Sequence, residues 1–288
     1  MTGQLRLLSW PFYLGGQMKK YYNSKPRLDN NGNLERTGLK PNSISKGVLM
    51  PGDPHRCEVM SKFFTDPEFI CRVGTYATYT GKTPNGAPIS VTSSGMGCAC
   101  VPTALEDLSF AGASTVIRVG TCGGVIPGTV PGSIVIASGC VRGEGASYEL
   151  VPPEFPAYAD PYVVDALYRA GKELGEEPIV GMYRSHDAFY VESLAAHEGL
   201  RERMQKWIDI DVKCVENESG TLFTFGHLLG LKCGTICVAN GSMFDGKEDN
   251  GDAIYSTYKN PKFLQERIEK VTQIAIRAIE ILNQEGHI

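Results

Sequence analysis

The sequence has no excess of basic residues. Its 288 residues include 28 Lys and Arg against 32 Asp and Glu, which gives a formal net charge of −4. A nucleic-acid-binding protein usually carries a clustered positive surface. Composition therefore gives no electrostatic case for nucleic acid as a partner, although a local basic pocket for one small anion is still compatible with it.

Long apolar runs are also absent. No stretch reaches the ~18 apolar residues that a membrane-spanning helix needs. The first twenty residues contain only a short apolar run and no small-residue cleavage site, so they do not have the layout of a signal peptide. We expect a cytoplasmic protein without a membrane partner, in which residues 1–34 form an N-terminal arm and residues 35–288 form one domain.

Paired cysteines are missing as well. The nine cysteines are scattered and odd in number, with no CxxC pair and no Cys/His spacing typical of a zinc site. Several lie inside apolar runs such as GTICVAN. We expect buried free thiols in a reducing compartment rather than disulfides or a metal centre.

What the chain does contain is an alternation of short apolar runs and helical patterns. Runs such as VLMP, SVTSS and VIRVG predict strands, each followed by turn residues. Residues 261–284 repeat apolar side chains at three- and four-residue spacing and predict a long helix. We expect an α/β fold: a single domain with a central mixed, mostly parallel β-sheet flanked by α-helices. Ligands of such sheets bind in the loops beyond the carboxyl ends of the strands.

Two of these loops combine arginine with glycine. The segment GDPHR supplies Gly52 and Arg56, and the segment VIRVGTCGG supplies Arg118, Gly120 and Thr121. Guanidinium groups match phosphate oxygens in pairs, and a glycine turn exposes backbone N–H groups, so together the loops predict a phosphate site. Taken singly, an arginine at a strand end is more often solvated or paired with a carboxylate. Neither segment fits the phosphate loop of nucleotide triphosphatases or the GxGxxG dinucleotide fingerprint.

A pair of carboxylates precedes another predicted helix. In CVENESG, Glu216 and Glu218 flank Asn217 just before an apolar helix. Carboxylates near a helix N-terminus are stabilised by its unpaired N–H groups and dipole, which favours a capping role. The alternative is a carboxylate that accepts hydrogen bonds from the vicinal hydroxyls of a sugar.

Six segments, in their order along the chain, resemble the nucleoside phosphorylase family, which includes uridine phosphorylase and the hexameric type of purine nucleoside phosphorylase. They are VLMPGDPHR, SSGMGCACVPTALEDL, VIRVGTCGG, VRGEGASYELVPPEFPAYAD, SHDAFY and VENESGTLF. The segment from GAS to YAD looks most like the uridine phosphorylase branch. The resemblance covers nearly everything after the N-terminal arm.

This resemblance implies an enzyme, a pentosyltransferase. Its reaction would be reversible phosphorolysis of a uridine-like pyrimidine nucleoside to free base and ribose 1-phosphate. Inorganic phosphate would be the co-substrate, with no metal and no organic cofactor, and the chain would form a homodimer or a ring of dimers. Three alternatives stay open: a purine nucleoside phosphorylase, a hydrolytic nucleosidase on the same fold, and a non-catalytic nucleoside-binding protein.

The resemblance also implies site residues, which fall into three groups by role. Phosphate would be bound by Gly52, Arg56, Arg118 and Thr121. Ribose would be bound by Asn217, Glu218 and, from a neighbouring subunit, Arg36. The base would be bound by Cys122, Gly123, Phe189 and Asn240. The residues expected to act in catalysis are Arg118, Glu218 and Asn240.

The chain departs from the family pattern at two places that matter for chemistry. Where the uridine branch reads uracil with a glutamine and an arginine, this chain has Ser193 and Ala195. Where the family supplies a phosphate-binding arginine from a neighbouring subunit, this chain has Gly74 or Thr75, with Arg72 just before them. The sequence therefore leaves the preferred base open.

Overall fold

The computed structural model describes residues 25–188, 200–243 and 260–288. Within these residues ten strands form one sheet, and helices cover both of its faces. The strands are β1 (Gly47–Met50), β2 (Thr65–Val73), β3 (Tyr76–Lys82), β4 (Pro88–Thr92), β5 (Thr115–Gly124), β6 (Ile134–Gly143), β7 (Ala157–Tyr158), β8 (Ile179–His186), β9 (Cys214–Glu216) and β10 (Lys232–Ser242). The helices are α1 (Pro54–Ser61), α2 (Val101–Ala111), α3 (Ala146–Leu150), α4 (Pro161–Glu173), α5 (Leu200–Asp209), α6 (Ser219–Leu229) and α7 (Pro261–Gln284).

Five of the strands close into a ring. β10 pairs with both β5 and β6, and the ring continues from β6 through β8 and β9 back to β5. From β5 the sheet extends outward through β1, β4 and β3 to β2. The longest pairings, β5 with β10 and β6 with β8, are parallel, whereas the β2–β3–β4 meander is antiparallel. The expected α/β class and mixed, mostly parallel sheet are confirmed; the closed ring was not expected.

The sheet divides the apolar interior into two clusters. Val116 of β5 belongs to the cluster under α2 and α6, and its neighbour Ile117 belongs to the cluster under α4 and α7. Successive side chains of a strand point to opposite faces, so a strand covered on both faces reads as a continuous apolar run. Arg118 follows on the same face as Val116, which directs it toward α6.

Helix α7 begins and ends where the sequence predicted, and α4 has the same kind of N-terminal cap. The side chain of Asn260 caps α7 by accepting a hydrogen bond from the Phe263 N–H at 3.1 Å. Asp160 caps α4 in the same way, and Gly175 follows its end with a φ of +79°. In the three described ranges, no helix is both long enough and apolar enough to cross a membrane.

The cysteines are free thiols, as the sequence predicted, and most of them are buried. Burial is the main cause that raises the pKa of the Cys57 thiol to about 12. A thiol with a raised pKa carries little of the reactive thiolate at neutral pH.

The sequence did not predict six of the elements, which are β2, β3, β7, β9, α3 and α5. β2 is the clearest case, because it is the edge strand and nearly all of its side chains are exposed. With no buried face, a strand has no alternation of apolar and polar residues to detect. It also contains Pro67, which is tolerated in sheets at edges.

Helix α6 is buried along nearly its whole length and packs closely on β10. A Cβ atom added at Gly226 would lie 2.3 Å from the Cys233 Sγ atom. The glycine therefore sets how near α6 lies to the sheet.

We expect Gly226→Ala to lower the free energy of unfolding by about 1–3 kcal/mol, because the new methyl group overpacks this contact. Chemical denaturation of both proteins measures the difference. Adding Cys233→Ala removes the clashing sulfur, so the double variant should be more stable than Gly226→Ala alone. Equal stability of wild type and Gly226→Ala would show that the packing is not tight.

Candidate active site

Along one edge, strand β5 pairs first with β1 and then with β9. The gap between these two partner strands defines the candidate site. The first part of β5 pairs with β1 as far as the Met50–Arg118 pair. Its last two residues pair with β9, where Gly123 lies opposite Val215. Within the described residues, positions 119–122 have no partner on this edge because β1 and β9 diverge there. Such switch points are where α/β sheets place their ligands.

Loops from three strands meet at this gap. The loops after β1 and β4 touch: a Cβ atom on Gly52 would lie only 3.2 Å from the Gly95 carbonyl oxygen. The N–H of Gly97, in the loop after β4, donates a hydrogen bond to Glu218 Oε1 at 2.6 Å. Glu218 lies two residues after the end of β9. The loops that follow the strands, where we expected the functional residues, thus meet at one place in the structure.

Arg118 lies at the centre of this place, between two buried carboxylates. Its side chain is 5% exposed. Its Nε donates to Glu216 Oε2 at 2.9 Å, and its Nη2 lies 2.5 Å from Glu218 Oε2. The guanidinium extends over Gly120, where an added Cβ atom would lie 2.9–3.0 Å from it. Gly120 therefore leaves room for the guanidinium in its present position.

The two carboxylates have different roles at the N-terminus of α6. Glu216 caps the helix: its carboxylate accepts hydrogen bonds from the N–H groups of Glu218 and Ser219 at 3.0–3.1 Å. Glu218 stands at the N-cap position but makes no side-chain cap bond. The sequence favoured a capping role for both carboxylates. Glu216 has this role, whereas the Glu218 carboxylate contacts Arg118 and the Gly97 N–H.

Their environments move their pKa values in opposite directions. Burial raises the pKa of Glu216, but Arg118 and the hydrogen bonds to its carboxylate more than offset this, so its pKa lies below the ordinary value. For Glu218, burial together with the negative charge of Glu216 outweighs Arg118, and the pKa lies above the ordinary value. Opposed shifts on two neighbouring acids mark a candidate functional site.

A serine that sequence reasoning did not identify completes this group. The Ser185 hydroxyl, at the end of β8, donates to Glu216 Oε1 at 2.5 Å and accepts a hydrogen bond from the Gly220 N–H at 2.8 Å. Ser185 is 0% exposed. Its only signal in the sequence is a small polar residue near the end of a strand, which is too common to identify a site.

Asn217 and its neighbour His186 are tied to each other. The Asn217 Nδ2 donates to the His186 carbonyl oxygen, and both residues are buried. The Asn217 side chain is thus engaged within the protein. The ribose contact expected of Asn217 stays a prediction.

Asn240 lies on a β-bulge. The pairing of β10 with β5 shifts register between Ala239 and Gly241, which leaves Asn240 as the extra residue beside Cys122 and Gly123. Bulges often redirect a side chain next to an active site. The three expected base-binding residues Cys122, Gly123 and Asn240 therefore do lie together at the ends of β5 and β10.

The Cys122 thiol itself faces the interior. Its side chain is 3% exposed, belongs to the core cluster and lies beside Cys214 and Cys237. Burial is the main cause that raises the pKa of Cys122. A contact between this residue and a base therefore has to come from its backbone.

The other expected phosphate ligands lie beyond the end of β1 and in the last part of β5. Arg56 stands in the first turn of α1, four residues after Gly52, and is half-buried. Thr121 is half-buried in the part of β5 that pairs with β10 but has no partner on the β1 and β9 edge. Across the described ranges, no group of three or more His, Cys, Asp and Glu side chains is arranged to hold a metal ion.

Some expected residues are not brought into this cluster. Arg36 forms an ion pair with Glu106 of α2, with 2.7 Å between the Nη1 and Oε2 atoms, so its role toward a neighbouring subunit stays a prediction. Arg72 is exposed at the end of β2. Phe189, like Ser193 and Ala195, lies outside the described residues.

Comparison with known proteins places these features in a family. The family model of the Phosphorylase superfamily matches residues 46–280. A uridine phosphorylase of Treponema pallidum is 35% identical over 210 residues, which cover 72% of this chain and 81% of that protein. A guanosine phosphorylase of Halorubrum lacusprofundi is 30% identical over 244 residues, covering 85% and 97%.

Solved structures agree in fold. A crystal structure of uridine phosphorylase from Vibrio fischeri matches with a TM-score of 0.76 over 87% of this chain and 98% of that chain. At 23% identity, this likeness shows the fold alone.

We expect Arg118→Met to lower the free energy of unfolding at pH 7 by about 3–5 kcal/mol, because it leaves two buried carboxylates without their cation. The loss should be smaller near pH 5. Without Arg118 the folded-state pKa values of Glu216 and Glu218 rise, so the folded variant takes up protons as the pH falls and regains stability. Urea unfolding at the two pH values measures this.

The matched control is Arg169→Met, which removes an exposed arginine that also pairs with two carboxylates, Asp165 and Glu285, each at 2.8 Å. Exposed pairs contribute little, so its loss should be small and reduced by salt. If Arg118→Met were as stable as this control at pH 7, the buried pairing described for Arg118 would be wrong.

Proposed function

Because the chain belongs to the Phosphorylase superfamily, we propose that it is a nucleoside phosphorylase that cleaves a uridine-like pyrimidine nucleoside with inorganic phosphate. The products are the free base and ribose 1-phosphate. The observation that carries the proposal is the buried contact between Arg118 and Glu218 at the point where β1 and β9 diverge. It puts a candidate phosphate ligand and a candidate sugar ligand next to each other.

The reaction requires the protein to position the two reactants and to stabilise charge, and it does not require a strong base. Phosphate is already a nucleophile, and its attack at the anomeric carbon passes through a sugar with cationic character. Bound phosphate stabilises that charge, and the protein holds the two reactants in line. Gly52, Arg56, Arg118 and Thr121 are the groups we assign to phosphate, since they border the gap from the β1 and β5 sides.

Arg118 and Glu218 exchange partners in this proposal. In the structure the two side chains form a direct ion pair. Phosphate takes over the Arg118 Nη2, which frees the Glu218 carboxylate to accept hydrogen bonds from the 2′- and 3′-hydroxyls of ribose. Glu216 keeps its bond to the Arg118 Nε throughout and thus holds the guanidinium in place.

The relatives and Asn240 support the choice of base. The Treponema pallidum relative is a uridine phosphorylase, and this supports uridine as the first candidate. The Halorubrum lacusprofundi relative is a guanosine phosphorylase, and this supports a 6-oxopurine nucleoside as the second. An asparagine amide both donates and accepts hydrogen bonds, so Asn240 suits the carbonyl and N–H edge of either base.

Two other readings are weaker. A hydrolytic nucleosidase has less use for two arginines beside one anion site. A non-catalytic nucleoside-binding protein has no need of Glu218 and Arg118 in mutual contact. We further propose that phosphate is the only co-substrate, that no cofactor is needed, and that the enzyme works in the cytoplasm, where its free thiols remain reduced.

The test is release of free base from uridine, thymidine, inosine, guanosine and adenosine, each with and without inorganic phosphate. We expect cleavage of uridine that depends on phosphate, because phosphate is the nucleophile. Phosphate-dependent cleavage of guanosine or inosine alone would move the assignment to a purine nucleoside. Cleavage without phosphate would favour the hydrolase.

Glu218→Gln serves as the paired variant in this assay. It keeps the size of the side chain but loses the anionic acceptor, so kcat/KM for the nucleoside should fall about 100-fold or more, in the range of a lost charge-assisted contact that strengthens in the transition state. Glu154→Gln, in the turn before β7 and exposed, should change nothing. An unchanged kcat/KM in Glu218→Gln would remove Glu218 from the site.

We also propose that the enzyme is at least a dimer, joined through the edge strand β2. On this strand Phe69 and Val73 are 54% and 41% exposed. An edge strand with exposed apolar side chains is suited to pairing with a second chain. Arg72 lies between them in sequence, so a neighbouring copy would bring it toward the phosphate site in place of the family's arginine.

We expect Phe69→Asp to shift the sedimentation mass toward the monomer, because it places a charge in the proposed contact. Arg72→Ala should keep the oligomer and raise KM for phosphate, since only a phosphate ligand is lost. A monomeric wild type at assay concentration would contradict the dimer. An oligomer with unchanged kinetics in Arg72→Ala would contradict the role of Arg72 alone.

A further inference from the structure

We propose that Ser185 is a positioning residue of this active site, which sets the orientation of Arg118 and Glu218 through Glu216. The proposal rests on the proposed function. It adds a residue from a strand, β8, to which we have assigned no part of the site. Ser185 does not reach substrate in this proposal and acts only through the carboxylate it contacts.

The direction of the hydrogen bonds around Ser185 is fixed by its partners. The Gly220 backbone N–H can only donate, and it lies 2.8 Å from the Ser185 Oγ. The Glu216 carboxylate, when ionised, can only accept, and its Oε1 lies 2.5 Å away. The single hydroxyl proton therefore points to Glu216. The Gly220 N–H of α6 thus donates to Ser185, and Ser185 donates to Glu216.

Glu216 in turn fixes both functional side chains. Its Oε2 accepts from the Arg118 Nε at 2.9 Å and from the Glu218 N–H at 3.0 Å. These contacts hold the guanidinium from one side and the backbone of Glu218 from the other. Ser185 and the Ser219 N–H, which contacts Glu216 Oε1 at 3.0 Å, hold the remaining carboxylate oxygen. Without Ser185, this oxygen keeps only one of its two donors.

The surroundings leave little room for a water molecule to replace the hydroxyl. A Cβ atom on Gly220 would lie 2.8 Å from Glu144 Oε1 and 3.3 Å from the Ser185 Cβ, so this end of α6 is tightly packed. Removing one oxygen atom frees much less than the ~30 Å³ that a water molecule occupies in the liquid. Ser185→Ala should therefore leave the Gly220 N–H unpaired and let the Glu216 carboxylate turn.

The kinetic test is Ser185→Ala with saturating and limiting concentrations of each substrate. We expect KM for phosphate to rise about tenfold and kcat/KM for the nucleoside to fall about 10- to 100-fold, the size of a lost hydrogen bond to a charged group. In a Glu216→Gln background, Ser185→Ala should change these kinetic constants little further, because Ser185 acts on the site only through the Glu216 carboxylate, which is already lost. Additive losses would overturn the proposal.

Cys140→Ala is the matched control. The Cys140 Sγ forms a hydrogen bond of 3.2 Å with the Ser185 Oγ and is also buried, but it is not one of the groups that donate to the Glu216 carboxylate. If Ser185 only packed this part of the core, Cys140→Ala would change the kinetic constants as much as Ser185→Ala. We expect Cys140→Ala to alter thermal stability and to leave both KM values near those of the wild type.

A second measurement does not depend on turnover. Ser185 helps to lower the pKa of Glu216, a contribution to stability that is present above the unfolded pKa and lost as the pH falls. The difference in melting temperature between wild type and Ser185→Ala should therefore shrink toward pH 4, while that of Cys140→Ala stays constant. A constant difference for Ser185→Ala would overturn the contact with Glu216.

The two proposals fail separately. If the wild type shows no phosphate-dependent cleavage, the proposed function is wrong, and the pH dependence of unfolding still decides whether Ser185 supports Glu216. If the wild type is active and Ser185→Ala has unchanged kinetic constants, the positioning role is wrong while the proposed function stands.

Discussion

A buried guanidinium that needs two carboxylates is the constraint on which this structure depends. Arg118 is removed from water, and an unpaired charge in that position would cost several kcal/mol. Its partners Glu216 and Glu218 come much later in the chain, since Glu216 lies 98 residues after Arg118. The protein can therefore bury Arg118 only when β9, α6 and the loop after β4 have assembled around β5.

The same arrangement suits the anionic reactant that we propose for this site. Arg118 already faces a carboxylate on each side, so its orientation is set before any ligand arrives, and one of the two carboxylates is held less firmly. Glu216 accepts hydrogen bonds from amides at the start of α6 and from Ser185, whereas Glu218 has a raised pKa and accepts from the Gly97 N–H. In the proposed reaction Glu216 keeps its contact with Arg118, and Glu218 gives up its contact to the ligand. Preorganised charge of this kind costs no reorganisation during the reaction.

The sequence predicted the features that depend on local patterning. The α/β class, the long helix α7 and the glycine beside Arg118 are all encoded in short segments, and the loops that meet at the gap followed from the strand ends. It could not predict the closure of the ring, because strand partners such as β5 and β10 are separated by more than a hundred residues. It missed β2, which has no buried face, and Ser185, whose importance comes entirely from partners on other strands.

The bulge at Asn240 has a consequence for how such a protein diversifies. A residue in regular pairing is bound to the alternation of its strand, so replacing it disturbs neighbours on the same face. The extra residue of a bulge stands outside that alternation, and β10 resumes its pairing with β5 at Gly241. Position 240 can therefore exchange one side chain for another without altering the register of the sheet. In such a protein the residue at position 240 can vary while the strand pairing around the candidate site stays the same.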